Sequence, residues 1–132
     1  MDKKGISYEI IDYSGITNVK FYTSTDNGSY IPSHWHRAVE ILYMQEGELD
    51  VTVESSSFTI YPGDCILINA NVIHSTKCII PNRAIVLQIP LDFIEKYIPD
   101  VQQFMFIWDY QTKDPVKKTK LYMLKTTLEQ LQ

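Results

Sequence analysis

Apolar and polar residues alternate at period two through the first two thirds of the chain, the spacing of half-buried strands rather than helices. Short runs at residues 8–12, 19–23, 39–45, 49–54, 58–61, 65–68, 73–77 and 84–89 predict strands. Turn-forming groups separate them: Asp26-Asn27-Gly28, Glu46-Gly47-Glu48, Ser55-Ser56-Ser57, Pro62-Gly63-Asp64, Asn69-Ala70-Asn71 and Pro81-Asn82. Many short strands at close spacing imply an all-β sandwich or barrel. In the run 39–45 the alternate face, Val39, Ile41 and Tyr43, is apolar as well. An antiparallel strand normally keeps its solvent face polar, so C-terminal helices or a partner subunit must cover this one.

After Pro90 the pattern changes. Phe93, Ile94 and Tyr97 fall at helical spacing before Pro99, predicting a short helix over 91–97, and 104–110 is an aromatic patch that reads as a last strand or a buried loop. Asp114-Pro115 has the form of a helix cap followed by proline in the first turn. Beyond it Leu121, Leu124, Leu128 and Leu131 recur at steps of three, four and three. Such a stripe either packs on its own barrel or forms the seam of a dimerisation helix. The expected division is therefore a barrel over 1–90 and a helical extension over 91–132.

A chain of 132 residues is one domain, and 12 Lys and Arg against 16 Asp and Glu give it no basic face for nucleic-acid phosphates. The N-terminus has no apolar signal core, and no apolar run is long enough to span a bilayer, so a cytoplasmic location is expected. Cys65 and Cys78 are then expected as buried, reduced thiols. No G-x-S-x-G or phosphate-cradling glycine loop is present, and Lys117-Lys118-Thr119-Lys120 reads as a solvated helix face.

The chemistry concentrates in three histidines and a glutamate. If 34–44 is extended, His34, His36 and Glu40 share a face, and His74 on a neighbouring strand completes a set suited to Zn, Ni, Mn or Fe. The alternative is that the same four side chains are hydrogen-bonded or face an organic ligand. Phe21 and Tyr30, just before this set, are candidates for the mouth of a ligand pocket.

The run Gly28, five residues, His34-Trp35-His36, three residues, Glu40, six residues, Gly47 resembles the first cupin motif. Gly63, five residues, Asn69-Ala70-Asn71, two residues, His74, three residues, Cys78 follows the spacing of the second. Asn69, Asn71 and Cys78 stand where that motif has Pro, Gly and Asn, and Asn71 is tolerable because Asn enters the left-handed region readily. The resemblance covers residues 5–90 and implies a double-stranded β-helix, a small jelly-roll barrel. The His-Trp-His-Arg-Ala-Val-Glu-Ile-Leu-Tyr-Met run, the segment from Leu87 to Tyr97 and the Leu-rich helix are further similar to the N-terminal effector domains of AraC-type transcription regulators. That resemblance implies a barrel that senses a small effector, a sugar or other polar metabolite, and a helix that pairs two protomers into a homodimer. It also implies DNA binding only through a further domain, expected beyond Gln132. The rival reading is a metal-dependent cupin enzyme, a dioxygenase or isomerase, using His34, His36, Glu40 and His74, although the Leu-rich helix speaks against it. A third reading is a dimerising cupin that binds metal or sugar and does neither.

Overall fold

In the computed structural model, which describes residues 2–12 and 18–132, two sheets face each other. One has five strands in the order β1 (Ser7–Tyr8), β3 (Tyr30–Trp35), β8 (His74–Lys77), β5 (Leu49–Val53) and β6 (Ser56–Ile60). The other has four, in the order β2 (Lys20–Asp26), β9 (Asn82–Pro90), β4 (Ala38–Glu46) and β7 (Cys65–Ile68). Every pairing is antiparallel except β1 with β3. Alternate residues of both sheets, among them Leu42, Met44, Val51, Ile60, Ile68 and Val86, form the core between them. Two packed sheets of short strands are the jelly-roll sandwich expected from the alternation.

The turns carry the conformations their residues suggested. Gly63 has φ 95° and Asn71 φ 64°, so Asn71 does occupy the left-handed region in place of the motif glycine. Gly47, between β4 and β5, has φ 75°, and a Cβ there would lie 2.1 Å from the Pro81 carbonyl oxygen.

Three expectations need correction. Residues 34–44 are not one strand: β3 ends at Trp35, the chain bends at Arg37, and β4 begins at Ala38 in the other sheet. β3 was not among the expected strands, because Pro32 interrupts it; a register irregularity between Ile31 and His34 accommodates the proline. The first strand shrinks from 8–12 to Ser7–Tyr8.

Beyond the barrel come α1 (Leu91–Glu95), a single 3-10 turn (Val101–Gln103) and α2 (Pro115–Leu131). Residues 104–110 form no strand. The Asn69 side chain accepts from Phe106 N at 2.8 Å and donates to Phe106 O at 3.0 Å, pinning that segment as a neighbouring strand would. α2 starts as read, with Asp114 Oδ1 accepting from Val116 N at 3.0 Å. Leu128 is 1% exposed and packs with Leu124 and Trp108 on Ile41, Tyr43 and Ile85. The apolar outer face of β4 is thus covered by this chain's own helix, and Val39 by Leu91 and Val101. Leu131 at the end of the stripe is exposed. Among the described residues, no helix is long and apolar enough to cross a membrane. Cys65 and Cys78 are buried free thiols, as expected.

Candidate metal centre and ligand cavity

Strand pairing assembles the histidines. His34 and His74 are direct partners across β3 and β8, so their side chains share a face, with ring centroids 4.3 Å apart. His36 lies at the bend where the chain leaves the five-stranded sheet, and its ring stands 4.9 Å from that of His74. Potential ligand atoms of His34, His36 and His74 all lie within 4.8 Å of one another. Convergence arises because the bend turns His36 back toward its neighbours, rather than from uninterrupted alternation.

Each ring is anchored in the same way. His34 Nδ1 lies 2.9 Å from Pro32 O, His36 Nδ1 3.1 Å from Ala38 O and His74 Nδ1 2.9 Å from Val72 O. A carbonyl only accepts, so Nδ1 carries the proton in all three, and the Nε2 atoms converge. The Nε2 atoms of His36 and His74 are buried without a hydrogen-bond partner. Stranding two buried acceptors is costly unless something electron-deficient binds them. Backbone carbonyls that fix the Nδ1–H tautomer and present bare Nε2 atoms are the arrangement metal-binding histidines use. The residues therefore fit a divalent ion. Burial pushes the His74 imidazole below its ordinary value, partly opposed by Glu40, and so favours the neutral form that can ligate a metal.

Two carboxylates flank the cluster. Glu40, the Cα partner of Gln88 across β4 and β9, is buried and accepts from Gln88 Nε2 at 2.6 Å. Its Oε1 lies 3.5 Å from His36 Nε2, too far for a good hydrogen bond. Burial pushes the Glu40 carboxyl up, but His36, the field of His74 and the Gln88 amide outweigh it and hold the group below the usual carboxylate range. On the other side Glu9 Oε2 lies 3.1 Å from His34 Nε2. That contact raises His34 and lowers Glu9, since each stabilises the other's charge.

The cluster opens onto a cavity of about 340 Å³ between the sheets, within the usual size range of small-molecule pockets. Its polar lining includes Glu9, Tyr22, His34, Glu40, His74 and Gln88, and Leu42, Leu49 and Val86 supply apolar wall. Among the described residues, no Lys or Arg lines it. Burial, with the negative fields of Glu40 and Glu9, pushes the Tyr22 phenol up to about 12, so it stays a neutral hydroxyl.

Of the residues singled out in the sequence, His34, Glu40 and His74 line the cavity, and His36 completes the cluster just behind it. Two others do not reach it. Phe21 packs against the cluster under α2, on the outer face of β2, because the neighbouring position, Tyr22, takes the inward direction. Tyr30 lies 62% exposed with Asp50, Thr52 and Lys77 on the outer face of the five-stranded sheet. Glu9, Tyr22 and Gln88 were missed. Gln88 had a signal, a lone polar residue within the apolar strand 84–89; Glu9 had none, because its place depends on the non-local β1–β3 pairing.

The chain matches the cupin domain family model over residues 21–89, more than half its length. No curated protein matches it in sequence. Among solved structures it is similar to a cupin superfamily protein from Desulfitobacterium hafniense DCB-2, with a TM-score of 0.55 and 13% identity over 58% of this chain and 72% of that one. It is likewise similar to the cupin domain of Schizosaccharomyces pombe Cnp3, with a TM-score of 0.55 and 13% identity over 64% of this chain and 65% of that one. The DMSP lyase DddQ from Ruegeria pomeroyi DSS-3 gives a TM-score of 0.51 and 27% identity over 56% of this chain and only 39% of the lyase. With both motif histidine groups brought together in a two-sheet barrel, and the family model matched across that barrel, the chain belongs to the cupin family.

Proposed function

We propose that this protein is a small-molecule sensor, the effector-binding part of an AraC-type transcription regulator, with a metal-centred pocket. The observation that carries the reading is the position of α2. Strands β2, β4 and β9 line the cavity with Tyr22, Glu40, Leu42, Val86 and Gln88, and the opposite faces of the same strands pack beneath α2 through Phe21, Ile41, Tyr43 and Ile85. One layer of strand separates ligand from helix. A ligand regulates only through its different affinity for two arrangements of the protein, and a helix laid on the back of the binding wall is placed to feel which one is occupied.

In this reading His34, His36 and His74 hold a divalent ion, Zn, Ni, Mn or Fe, beside Glu40. The ion supplies a Lewis-acid position for an oxygen or nitrogen of the ligand. Tyr22 offers a hydroxyl donor. Gln88 has its amide nitrogen committed to Glu40 and its Oε1 without a partner, so it offers an acceptor. Among the described residues no Lys or Arg lines the pocket, so it suits a neutral polar metabolite that meets the ion through an oxygen, such as a sugar. DNA contact belongs to a further domain of the parent protein, and pairing of two copies belongs to the same proposal.

The test begins with chelator-stripped protein. The chain should take up one equivalent of Ni, Zn or Mn, and His74→Ala should lose it. Polar metabolites should then raise the melting temperature and change amide exchange in α2. Absence of any ligand that alters α2 exchange would remove the sensor reading.

A second reading, a metal-dependent enzyme such as a dioxygenase or isomerase, is favoured by the bare Nε2 pair beside the cavity and by the similarity to a lyase. Oxygen uptake or turnover of a small-molecule panel by the metal-loaded chain, lost in His74→Ala, would favour it over the first.

A further inference from the structure

From the placement of Glu9 we infer that the N-terminal segment supplies the metal centre with a second carboxylate ligand. This rests on the metal reading given above and extends it to a residue outside the family-matched region, which begins at residue 21.

The placement follows from the backbone. β1 runs parallel to β3 with Ser7 beside His34 and Tyr8 beside Trp35, and Glu9 N continues the ladder by donating to Trp35 O at 2.8 Å. Alternation then sends Ser7 and Glu9 to the cavity face. Tyr8 goes to the other face and packs on Trp35, with ring centroids 4.5 Å apart. Glu9 is therefore held in position by pairing and by an aromatic contact rather than hanging free.

Its carboxylate meets the one histidine atom that an ion must use. His34 Nδ1 is committed to Pro32 O, leaving Nε2, and Glu9 Oε2 lies 3.1 Å from it. Donors bonded at about 2.1 Å to one ion stand about 3.0 Å apart at right angles and about 3.4 Å apart in a tetrahedron. The Glu9–His34 separation of 3.1 Å and the Glu40–His36 separation of 3.5 Å are both near such edges. The two carboxylates meet different histidines, Glu9 at His34 and Glu40 at His36. Three neutral imidazoles and two carboxylates also balance a divalent charge, which one carboxylate does not. The buried, partnerless Nε2 atoms of His36 and His74 independently call for an electron-deficient partner, a cation or a hydrogen-bond donor, beside them.

Five donors, two of them hard oxygens, favour an ion of higher coordination number with an open position, Mn(II) or Fe(II), over a closed tetrahedral Zn site. Glu9 would then tie the N-terminal segment to the barrel whenever metal is bound.

The experiment uses the full chain, stripped of metal, and two probes. Mn(II) binding is followed by loss of the free-ion electron spin resonance signal, and Co(II) loading by its visible absorption, which intensifies as coordination number falls. Glu9→Gln keeps the side-chain shape and a hydrogen bond to His34 but removes the anionic donor. It should weaken Mn(II) binding about tenfold or more, the least that loss of a metal-site partner usually costs. It should also intensify the Co(II) spectrum, whereas Glu9→Asp should retain part of the affinity. Ser7→Ala, on the same face, should change neither reading. Equal Mn(II) affinity in Glu9→Gln overturns the assignment. So does a weakened affinity with an unchanged Co(II) spectrum, which would show that Glu9 only positions His34. If the unaltered chain takes up neither Mn(II) nor Co(II), the metal reading itself fails, a result distinct from either of these.

Discussion

The two sheets of this barrel share a core but differ on their outer faces. Outside the five-stranded sheet, cross-strand pairs are polar: Thr52 with Ser57 at 2.9 Å, and Thr59 donating to Asp50 at 2.7 Å. Outside the four-stranded sheet Ile41, Tyr43 and Ile85 are apolar and lie beneath α2. A strand carries alternating chemistry only when one of its faces meets water, so the second face of a sheet records whether something covers it. The difference also divides the site. His34 and His74 come from the uncovered sheet, whereas Glu40, Gln88 and Tyr22 come from the wall backed by a helix. An ion or ligand in the cavity would hold together a wall open to solvent and one in contact with the C-terminal extension.

The comparison breaks most readily at Leu128. Leu128→Ala should cost about 2 to 5 kcal/mol in urea unfolding, as for other fully buried leucines. Leu124→Asp with Leu128→Asp should lower the melting temperature further while leaving the sedimenting mass unchanged. A folded, undiminished barrel of half the mass would show instead that the stripe serves a dimer.

Next comes the joint between the sheets. Gly63→Ala forces a side chain into the left-handed region with open space around it, costing about 1 to 2 kcal/mol. Gly47→Ala meets Pro81 as well and should cost about 1 to 3 kcal/mol more, because overpacking adds to the backbone strain. Equal melting of the two variants would mean that the β8–β9 turn yields easily.

Tyr43 probes the helix contact on a finer scale, since its hydroxyl donates to Glu129 Oε1 at 2.6 Å. Tyr43→Phe should cost about 1 kcal/mol. Burial, then Glu129, pushes this phenol from 10.0 up to about 12. The folded state favours the neutral form, so the contribution is complete below pH 10 and is lost as pH rises through about 12. Urea titrations across that window should show the decline in the unaltered chain, and Tyr43→Phe should flatten it. The smallest effect belongs to the bare sheet: Ser57→Ala should stay within about 0.5 kcal/mol by the same unfolding measurement.

Much of this was legible because local pattern and global fold agree. Alternation marked eight of the nine strands, Asp114-Pro115 marked the start of α2, and the apolar second face of β4 announced a cover. The histidines and Glu40 were recognisable from spacing. Phe21 was misplaced because β2 lies at the edge of the helix-backed sheet, where Phe21 and Tyr22 are both aromatic and neither face is marked by polarity. Tyr30 was misplaced because β3, interrupted by Pro32, did not read as a strand, so it had no parity to follow. Glu9 depends on a parallel pairing between segments 27 residues apart, Tyr8 with Trp35 being one pair and Ser7 with His34 the next, and nothing local encodes it.

His34 and His74 are opposed directly across the ladder, and that makes the metal centre a gauge of registration. A slip of one residue between β3 and β8 would turn one of the two rings to the solvent side and abolish the cluster. Metal uptake during refolding would therefore be silent until these strands had locked in step, and its time course would count correctly threaded molecules rather than merely collapsed ones. A bound ion, in turn, would act as a one-way catch on that alignment, slowing strand exchange without any change to the strands themselves.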